Sequence, residues 1–485
     1  PYTTLFRSVM LREKRYEPEK FLRLASALHE KRDAPWAHFG PDTNYPPTKS
    51  TPLVWEDSAR FNQERDTFLA ATDALLAAAK TQDEAKIQVA YDAVFWYRFP
   101  LLKKAYARSE YREEQGYEKF CMDSWFWLND YAFYMALKFH FDNKEWLAWP
   151  EDIRFRKKEA VESYREELKD EIDFWKFLQY KFYQQWGKLR TYANEQGISI
   201  IGDIPIYVAF DSADAWANPE LFQFDENSTP LAVAGCPPDA FAATGQLWGN
   251  PLYRWDYHAQ TGYVWWISRL RHCFTLYDVV RVDHFRGFDE YYAIPYGDKT
   301  AENGVWKKGP GIDLFHTVKK ELGDANIIAE DLGYLTESVM KLVEDTGYPG
   351  MKVLQFAFDS REESNYLPHN YPHNCVVYTG THDNNTVRGW LDDMCEEDNA
   401  LAEDYMNNAD TPKDERPWEF IRLALGSVAD LAVIPLQDYL CLGTEARINL
   451  PSTLGNNWKW RLVPGQVTDE MLEKMCHLNK LFGRL

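Results

Sequence analysis

Val-Arg-Val-Asp-His-Phe-Arg-Gly-Phe at 280–288 decides the fold, because a short β-branched run ends in a carboxylate, Asp283. The same form recurs in Ile-Ile-Ala-Glu-Asp-Leu-Gly at 327–333, which contains Glu330, and in Tyr-Thr-Gly-Thr-His-Asp-Asn at 378–384, which contains Asp383. Such a run is typical of a buried parallel strand. Barrel enzymes carry their chemistry at the carboxyl ends of such strands. The three stretches therefore predict an acidic site at one edge of a parallel sheet.

Strand-like runs recur along the second part of the chain with helical segments between most of them. These runs lie at 198–209, 278–285, 326–332, 351–358, 375–381 and 431–436. Strand–helix alternation favours parallel βα units, and the acidic strand ends favour a (β/α)8 barrel over an open sheet. We therefore expect an α/β fold of the TIM type with inserted helical subdomains, of which six barrel strands are recognisable.

The first part of the chain has a different character. Residues 1–8 read as translated adapter sequence, and we treat them as non-native. Residues 9–117 are predicted as a divergent, mostly helical amino-terminal region, and 118–485 as the catalytic barrel with helical insertions. Residues 155–196 are predicted to form one or two long helices whose rings, Phe182 and Trp186 among them, pack inward.

Charge and aromatic content narrow the class of partner. A net charge of −21 over 485 residues argues against nucleic acid or an anionic membrane surface as partner. Neutral ligands are not excluded, and 16% of the residues are aromatic, including 19 Trp. Such rings either fill the core or form flat apolar platforms for sugar rings, and composition leaves both readings open.

The seven cysteines are scattered and include no Cys-x-x-Cys pair. This pattern favours reduced thiols in a cytoplasmic protein and not a disulfide framework or zinc site. No apolar run approaches 18 residues, so we expect no membrane span. Asp203 and Asp211 could ligate a cation, but no dense loop of oxygen ligands surrounds them, and we expect no metal.

Paired strand-end carboxylates suit the hydrolysis or transfer of glycosides. A retaining enzyme needs one carboxylate as nucleophile and one protonated acid, the roles open to Asp283 and Glu330. Clustered negative charge, including that of Asp383, helps a Glu to stay protonated near neutral pH. Arg281 lies two residues before Asp283 on the same strand face and can hold it ionised. His382 directly precedes Asp383.

Longer motifs identify a family. They are 200–222 (Ile-Ile-Gly-Asp-Ile-Pro-Ile-Tyr onward), 233–253 (Val-Ala-Gly-Cys-Pro-Pro-Asp-Ala-Phe onward), Asp-His-Phe-Arg-Gly-Phe at 283–288, 350–358 and Gln-Asp-Tyr-Leu at 437–440. From about residue 118 to 485 the chain resembles the 4-α-glucanotransferases of glycoside hydrolase family 77, called amylomaltases or disproportionating enzymes. Agreement over this much sequence is not expected by chance.

The resemblance implies residue roles. Asp283 matches the nucleophile, Glu330 the acid/base, and Asp383 a third carboxylate that favours the distorted sugar. Arg281 and His382 match contacts to the sugar at subsite −1. Further substrate-binding positions implied by the resemblance are Asp239, in a loop that folds over the substrate, Phe241, Gln246, Trp248 and Asn449. His284 and Asp331 flank the catalytic positions, where each either contacts the ligand or is structural, and Trp186, Trp255, Trp265 and Trp266 are expected in the core.

The resemblance also implies an activity: transfer of α-1,4-glucan segments from maltooligosaccharides or starch-derived donors to glucose or oligosaccharide acceptors, without a cofactor. Two alternatives remain open. One is an amylase-like hydrolase. The other is an inactive glucan-binding fragment, because the family's first two barrel strands are not recognisable in residues 1–117, and the six predicted strands match the third to the eighth.

Overall fold

The structure is a computed structural model, and it describes most of the chain from residue 99 onward. The described residues are 65–66, 69–74, 76–77, 80, 99–238, 242–333, 335–361, 363–407, 409–451, 453 and 457–485. Among helices in these ranges, none combines the length and apolar character that crossing a bilayer requires. The expectation for residues 1–8 concerns residues that the structure does not describe, and so does much of the expectation for residues 9–117.

The chain divides into two compact units. One comprises Pro1–Gln115 with Thr453–Asn456, and the other comprises Gly116–Ser452 with Asn457–Leu485. The second unit contains every strand found among the described residues, and the predicted catalytic carboxylates. The boundaries predicted from the sequence, at 117 and 118, remain a prediction.

Helices cover much of the second unit. Their bounds are Gln115–Asp123, Trp125–His140, Glu151–Arg154, Lys158–Glu167, Lys169–Glu195, Ala213–Ala217, Trp255–Gln260, Val264–Leu276, Ile312–Leu322, Glu337–Thr346, Val387–Asp393, Glu396–Met406, Arg416–Leu425, Leu436–Tyr439 and Asp469–Leu481. Residues 99–108 are also helical.

In the described residues, ten strands form three sheets. In chain order they are β1 Ile201–Pro205, β2 Ala232–Cys236, β3 Gln246–Pro251, β4 Val279–Asp283, β5 Glu290–Pro295, β6 Val305–Lys308, β7 Ile327–Ala329, β8 Gly350–Val353, β9 Cys375–Tyr378 and β10 Leu431–Val433. Two sheets are wholly parallel, with orders β1-β4-β7 and β10-β9-β8. Each of the six predicted runs contains most of one of these parallel strands.

The fold is therefore α/β, as predicted, but the two parallel sheets are separate and no closed barrel ladder joins them among the described residues. A main-chain hydrogen bond of 2.9 Å from Ala329 N to Pro349 O links the end of β7 to the start of β8. Between the sheets, buried apolar side chains form a shared core. They include Ile328, Met351, Val353, Val376 and Tyr378.

The third sheet, β3-β2-β5-β6, is antiparallel and was not predicted. Strands β2 and β3 coincide with the quoted motif at 233–253, whereas β5 and β6 follow β4 outside the quoted motifs. Gly235 explains the close pairing of β2 and β3, because a Cβ there would lie 2.1 Å from the carbonyl oxygen of Gln246. This sheet carries Gln246 and Trp248.

The predicted strands were too long at several ends. The run 198–209 forms a strand only over Ile201–Pro205, and 351–358 only up to Val353, after which Leu354–Phe356 is a 3₁₀ helix. Hydrophobic runs extend past the last ladder hydrogen bond because the loops at the carboxyl ends are also buried.

Two long helices, Lys158–Glu167 and Lys169–Glu195, form where one or two were expected. Phe182 is not packed inward as predicted, since 51% of it is exposed. Gly197, with φ of 74°, follows the second helix in the left-handed region, where helices commonly end. The helix is fixed to the parallel sheet by Arg190, whose Nη2 lies 2.6 Å from the carboxylate of Asp278 just before β4.

Candidate active site

The strand register brings two of the three predicted carboxylates together. β4 pairs with β7 through Val282 and Ala329. The next positions are Asp283, the last residue of β4, and Glu330, which directly follows β7. Neighbouring strands lie about 5 Å apart, so these residues extend side by side from the same edge of the sheet. This is the carboxyl edge that the sequence predicted for the site.

Arg281 joins two carboxylates through one nitrogen. Its Nη1 donates to Asp283 Oδ1 at 2.9 Å, the contact expected from the strand alternation, and to Asp203 Oδ1 at 2.7 Å. Asp203 lies on β1 directly opposite Arg281 in the register. Burial raises the pKa of Asp203, and the positive charge of Arg281 opposes that rise. Arg281 is therefore a buried cation that fixes the orientation of two acids.

Glu330 is held by the main chain on both of its oxygens. Oε2 accepts from the amide of His284 at 2.7 Å, and Oε1 accepts from the amide of Leu332 at 2.8 Å. Burial raises the pKa of Glu330 to about 7, and the charge of Asp283 adds to the rise. A carboxylic acid with this pKa can remain protonated near neutral pH and donate its proton.

His284 shapes the turn between the two carboxylates. Its φ of 56° lies in the left-handed region, which is uncommon for a residue with a side chain, and the turn directs its amide toward Glu330. Its Nε2 is buried without a hydrogen-bond partner among the described residues, and burial lowers its pKa to about 4. The ring meets Trp248 edge to face, with centroids 4.8 Å apart.

The third carboxylate, Asp383, lies in the loop after β9 and is held from the segment 447–449. Asn449 Nδ2 donates to Asp383 Oδ1 at 2.5 Å, and Arg447 Nη2 donates to the main-chain oxygen of Asp383 at 2.5 Å. Asn449 was predicted to bind substrate, and in this structure its amide contacts this acid. Asp383 is thereby oriented by a neutral donor.

His382 bridges the acids of two sheets. Its Nε2 lies 3.5 Å from Asp383 Oδ2 and 4.0 Å from Asp203 Oδ2. Its ring also packs against Trp458, with centroids 5.0 Å apart. A chain of polar contacts thus runs from Asp383 through His382 and Asp203 to Arg281.

Two of the remaining predicted site residues are described. Trp248 Nε1 donates to Gln246 Oε1 at 3.1 Å on β3, and Trp248 contacts His284 as given above. Asp239 and Phe241 lie outside the described residues, so their proposed contacts stay predictions.

Sequence reasoning overlooked Asp203 as part of this site and weighed it only as a cation ligand with Asp211. The two acids lie in different ion pairs, because Asp211 Oδ2 contacts Lys138 Nζ at 2.6 Å. Within the described ranges, no group of three or more His, Cys, Asp or Glu side chains is placed to hold a metal ion. The signal that could have identified Asp203 is the strand run ending around it, as for the other acids.

Other expectations concern the neighbouring side chains. Asp331 Oδ1 accepts from the amide of Met351 at 2.7 Å and so links β7 to β8. Trp255 and Trp266 are buried, as predicted for core residues. Trp186 and Trp265 are half-buried and donate to Leu276 O and to Asp214 Oδ1.

A cavity of about 680 Å³ lies at the opposite, amino ends of the parallel strands. Its lining includes the first residues of four of them, Val279, Ile327, Cys375 and Leu431. None of the described catalytic candidates lines it. The ionisable groups with linked contacts lie at the other, carboxyl ends of the strands, where barrel enzymes carry their chemistry.

The arrangement supplies the groups that retaining glycoside chemistry requires. Asp283 is a carboxylate held by Arg281, and Glu330 is an acid whose pKa is matched to proton transfer near neutrality. Asp383 and His382 add polar groups on the adjoining loop.

Comparison with known proteins gives consistent matches. A family model described as 4-alpha-glucanotransferase matches residues 58–466. The 4-alpha-glucanotransferase of Clostridium butyricum is 47% identical over 407 residues, which are 84% of this chain and 83% of that protein. That of Streptococcus pneumoniae is 50% identical over 402 residues, or 82% and 79% of the two chains.

A solved amylomaltase from Streptococcus agalactiae, in complex with acarbose, matches with a TM-score of 0.77 and 40% identity. The match covers 81% of this chain and 80% of that one. A second family model, for cytochrome c′, matches residues 5–95. That stretch contains no cysteine, so it lacks the Cys-x-x-Cys-His motif that attaches a c-type haem.

Proposed function

The chain belongs to the 4-alpha-glucanotransferase family, glycoside hydrolase family 77, and from this premise we propose how its residues carry out the transfer. Glu330 protonates the glycosidic oxygen while Asp283 attacks the anomeric carbon. The bond to the leaving fragment breaks, a β-linked glucosyl–Asp283 ester forms, and Glu330 is left as a carboxylate. The hydrogen bond from Arg281 that orients Asp283 supports its role as nucleophile, and the raised pKa of Glu330 supports its role as acid.

In the second step Glu330 acts as a base. It removes the proton from the 4-hydroxyl of an incoming sugar, whose oxygen attacks the anomeric carbon and releases Asp283. Two inversions give net retention of configuration. Because the proton gained by Glu330 equals the one lost in the first step, the enzyme returns to its starting state without a cofactor.

Asp383, His382 and Arg281 form the environment of the reacting sugar. Asp383, with one oxygen engaged by Asn449, has its other oxygen 3.5 Å from His382 Nε2. We assign this pair to the sugar hydroxyls, where hydrogen bonds that strengthen as the ring distorts favour the oxocarbenium-like transition state.

Transfer exceeds hydrolysis only when an acceptor sugar, and not water, occupies the site after the first step. The β2–β3 hairpin supports a covering role, because Trp248 on β3 packs against His284 next to the nucleophile. Asp239 and Phe241, which the resemblance places between these strands, are proposed substrate contacts on the same hairpin.

The donors are α-1,4-glucans and maltooligosaccharides, and the acceptors are glucose or shorter oligosaccharides. The Streptococcus agalactiae relative binds acarbose, a property we extend to the donor site of this chain. Nucleic acid and membranes are not proposed as partners, given the net charge of −21.

The two parallel sheets correspond in this proposal to barrel strands three to eight, taken in chain order from β1 through β4, β7, β8, β9 and β10. The protein acts in the cytoplasm. None of its seven cysteines, all of which the structure describes, forms a disulfide bond, which suits a reducing compartment.

The single observation that carries the proposal is the adjacency of Asp283 and Glu330 at the carboxyl edge, with Glu330 held at a pKa of about 7. The test is incubation of the full chain with maltotriose and separation of the products. Glucose together with longer oligosaccharides is the expected result. Glucose and maltose alone would establish the hydrolase instead.

A matched control separates chemistry from binding. Glu330→Gln keeps the size of the side chain but removes its proton, and it should abolish transfer while acarbose still raises the melting temperature. If neither the wild-type chain nor this variant responds to acarbose, the donor site is not intact and the inactive alternative is correct.

A further inference from the structure

Asp438 is a buried carboxylate that the mechanism does not use. It lies in the short helix Leu436–Tyr439 after β10, and only 1% of it is exposed. Its Oδ2 accepts from the hydroxyl of Thr379 at 2.6 Å, and its Oδ1 accepts from the amide of Val387 at 2.8 Å. Both oxygens therefore accept hydrogen bonds from the same stretch of the chain, between Thr379 and Val387.

The two partners of Asp438 enclose the segment 380–386. Thr379 directly follows β9, and Val387 is the first residue of the helix Val387–Asp393. The segment between them carries His382 and Asp383. One buried side chain thus fixes both ends of the loop that presents the third carboxylate.

The same segment also contacts Gln355. Gln355 Nε2 donates to the main-chain oxygen of Asn385 at 2.8 Å, and a Cβ at Gly380 would lie 2.5 Å from that nitrogen. The loop is therefore closely packed against the ends of two other strands. A shift at either end would move Asp383, because the segment has little room to adjust locally.

A carboxylate at this position is costly for the fold. Burial raises the pKa of Asp438 to about 6, although the hydrogen bonds from Thr379 and Val387 oppose the rise. An apolar side chain would avoid that cost, but it could not accept both hydrogen bonds. The geometry thus indicates that Asp438 serves to hold the segment 380–386 in place.

We propose that Asp438 is a positioning residue for catalysis, which fixes the carboxylate of Asp383 by holding Thr379 and Val387 at the two ends of the segment 380–386. This inference rests on the proposed role of Asp383. It does not require Asp438 to touch the substrate.

Asp438→Leu tests the inference because it removes both acceptors and keeps a similar volume. On maltotriose we expect kcat to fall by about tenfold to a hundredfold, the size of effect that a small misplacement of a reacting group produces, with a much smaller change in KM. Asp438→Asn should recover part of the loss, since its one carbonyl can still accept from Val387. Unchanged kcat in Asp438→Leu would overturn the proposal.

A control distinguishes positioning from general stability. Asp214 is another largely buried acid, and it accepts from Trp265 Nε1 at 3.1 Å away from the catalytic loop. Asp214→Leu should lower the melting temperature and leave kcat unchanged. Equal losses of kcat in the two variants would show that Asp438 only stabilises the fold.

A double-mutant cycle tests the route through Asp383. In an Asp383→Asn background, Asp438→Leu should weaken acarbose binding no further, because the group it positions is already altered. Additive losses would contradict the proposal. If Asp438→Leu does not fold, Thr379→Val replaces it; this variant loses one of the two contacts and should lower kcat in the same direction by a smaller factor.

Hydrogen exchange separates failure of this inference from failure of the proposed function. Absence of transfer and of acarbose binding in the wild-type chain would reject the function. In that case, faster amide exchange over 380–387 in Asp438→Leu or Thr379→Val than in Asp214→Leu still supports the anchoring role. Identical exchange in all three variants rejects it.

Discussion

The amide of His284 donates a 2.7 Å hydrogen bond to the carboxylate of Glu330. His284 directly follows Asp283, so the turn after the proposed nucleophile also holds the proposed acid/base. The amide favours the ionised form of Glu330, whereas burial and the charge of Asp283 favour the protonated form and prevail. The balance gives a pKa of about 7, which suits a group that donates and then removes a proton.

Asp283→Asn should lower the pKa of Glu330 from about 7, because it removes the negative charge that opposes ionisation. Burial remains, so the pKa should stay above 4.5, the ordinary value for Glu. The measurement is a ¹³C NMR titration of the Glu330 carboxyl carbon. Asp211→Asn, at an acid paired with Lys138, serves as the control and should leave the pKa in place.

The raised pKa of Glu330 also predicts the direction of a stability change. The folded state binds a proton at Glu330 that the unfolded chain releases near pH 4.5. The resulting stabilisation is fully present below that pH and is lost as pH rises through about 7. Unfolding in urea between pH 5 and 8 measures this loss. A stability that rises in this range in proportion to ionisation of Glu330 would contradict the assignment.

Arg281→Lys should reduce kcat/KM by about a hundredfold or more, because a lysine ammonium does not reproduce the guanidinium geometry that serves Asp203 and Asp283 together. Steady-state kinetics on maltotriose provide the measurement. Arg190→Lys is the matched control, since Arg190 also pairs with an aspartate, Asp278, but lies away from the site. It should change stability and leave kcat/KM within about twofold of wild type.

Trp248→Ala should raise the proportion of hydrolysis relative to transfer. The ring covers His284 beside the nucleophile, and its removal admits water to the glucosyl-enzyme. The assay compares free glucose and reducing ends with longer oligosaccharides. Trp306, with a similar exposure of 38% against 36% for Trp248, lies on β6, and Trp306→Ala should leave the product ratio unchanged.

Asp278→Asn should lower the free energy of unfolding by about 1 kcal/mol near neutral pH, after allowance for solvent screening. Hydrogen bonds from the amide of Ile200 and from the side chains of Arg190 and Asn194 lower the pKa of Asp278 to about 2. Because the folded pKa lies below 3.8, the stabilisation is present above that pH and is lost as pH falls through about 2. The measurement is urea unfolding between pH 7 and pH 3. The difference in the free energy of unfolding between variant and wild type should become smaller as the pH falls.

Asp359→Asn is the control for that comparison. Arg361 also lowers the pKa of Asp359 to about 2, but the pair is open to solvent. We expect no measurable change in stability, because exposed ion pairs contribute little. Equal losses of stability in Asp278→Asn and Asp359→Asn would show that the contacts of Asp278 with the long helix and with Ile200 do not stabilise the fold.

The six parallel strands could be predicted because the runs that contain them are rich in β-branched and other apolar residues and alternate with helical segments. The antiparallel sheet β3-β2-β5-β6 could not, since its strands contain glycines and aromatic residues without clear alternation, and their pairing depends on partners far along the chain. Phe182 shows the same limit for helices. Periodicity placed it on a helix that exists, but only neighbouring elements decide which side is covered.

Among the site residues, the contact of Arg281 with Asp283 follows from strand alternation, and the structure has it at 2.9 Å. The contacts between strands were not readable in the same way. Asp203 is separated from Arg281 by 78 positions, and Asn449 from Asp383 by 66. Local sequence carries no information on such distances, so neither the pairing of Asp203 with Arg281 nor that of Asn449 with Asp383 could be predicted.

The amino-acid sequence alone marks the candidate groups for the proposed chemistry, which are the strand-end acids Asp283, Glu330 and Asp383, and it contains the motifs of the family. The tertiary structure sets the pKa values and the orientations of those side chains. Burial and a neighbouring charge set the pKa of Glu330, and a shared guanidinium orients Asp283. Desolvation and electrostatic interaction depend on surroundings assembled from distant segments, whereas the type and local order of the residues do not.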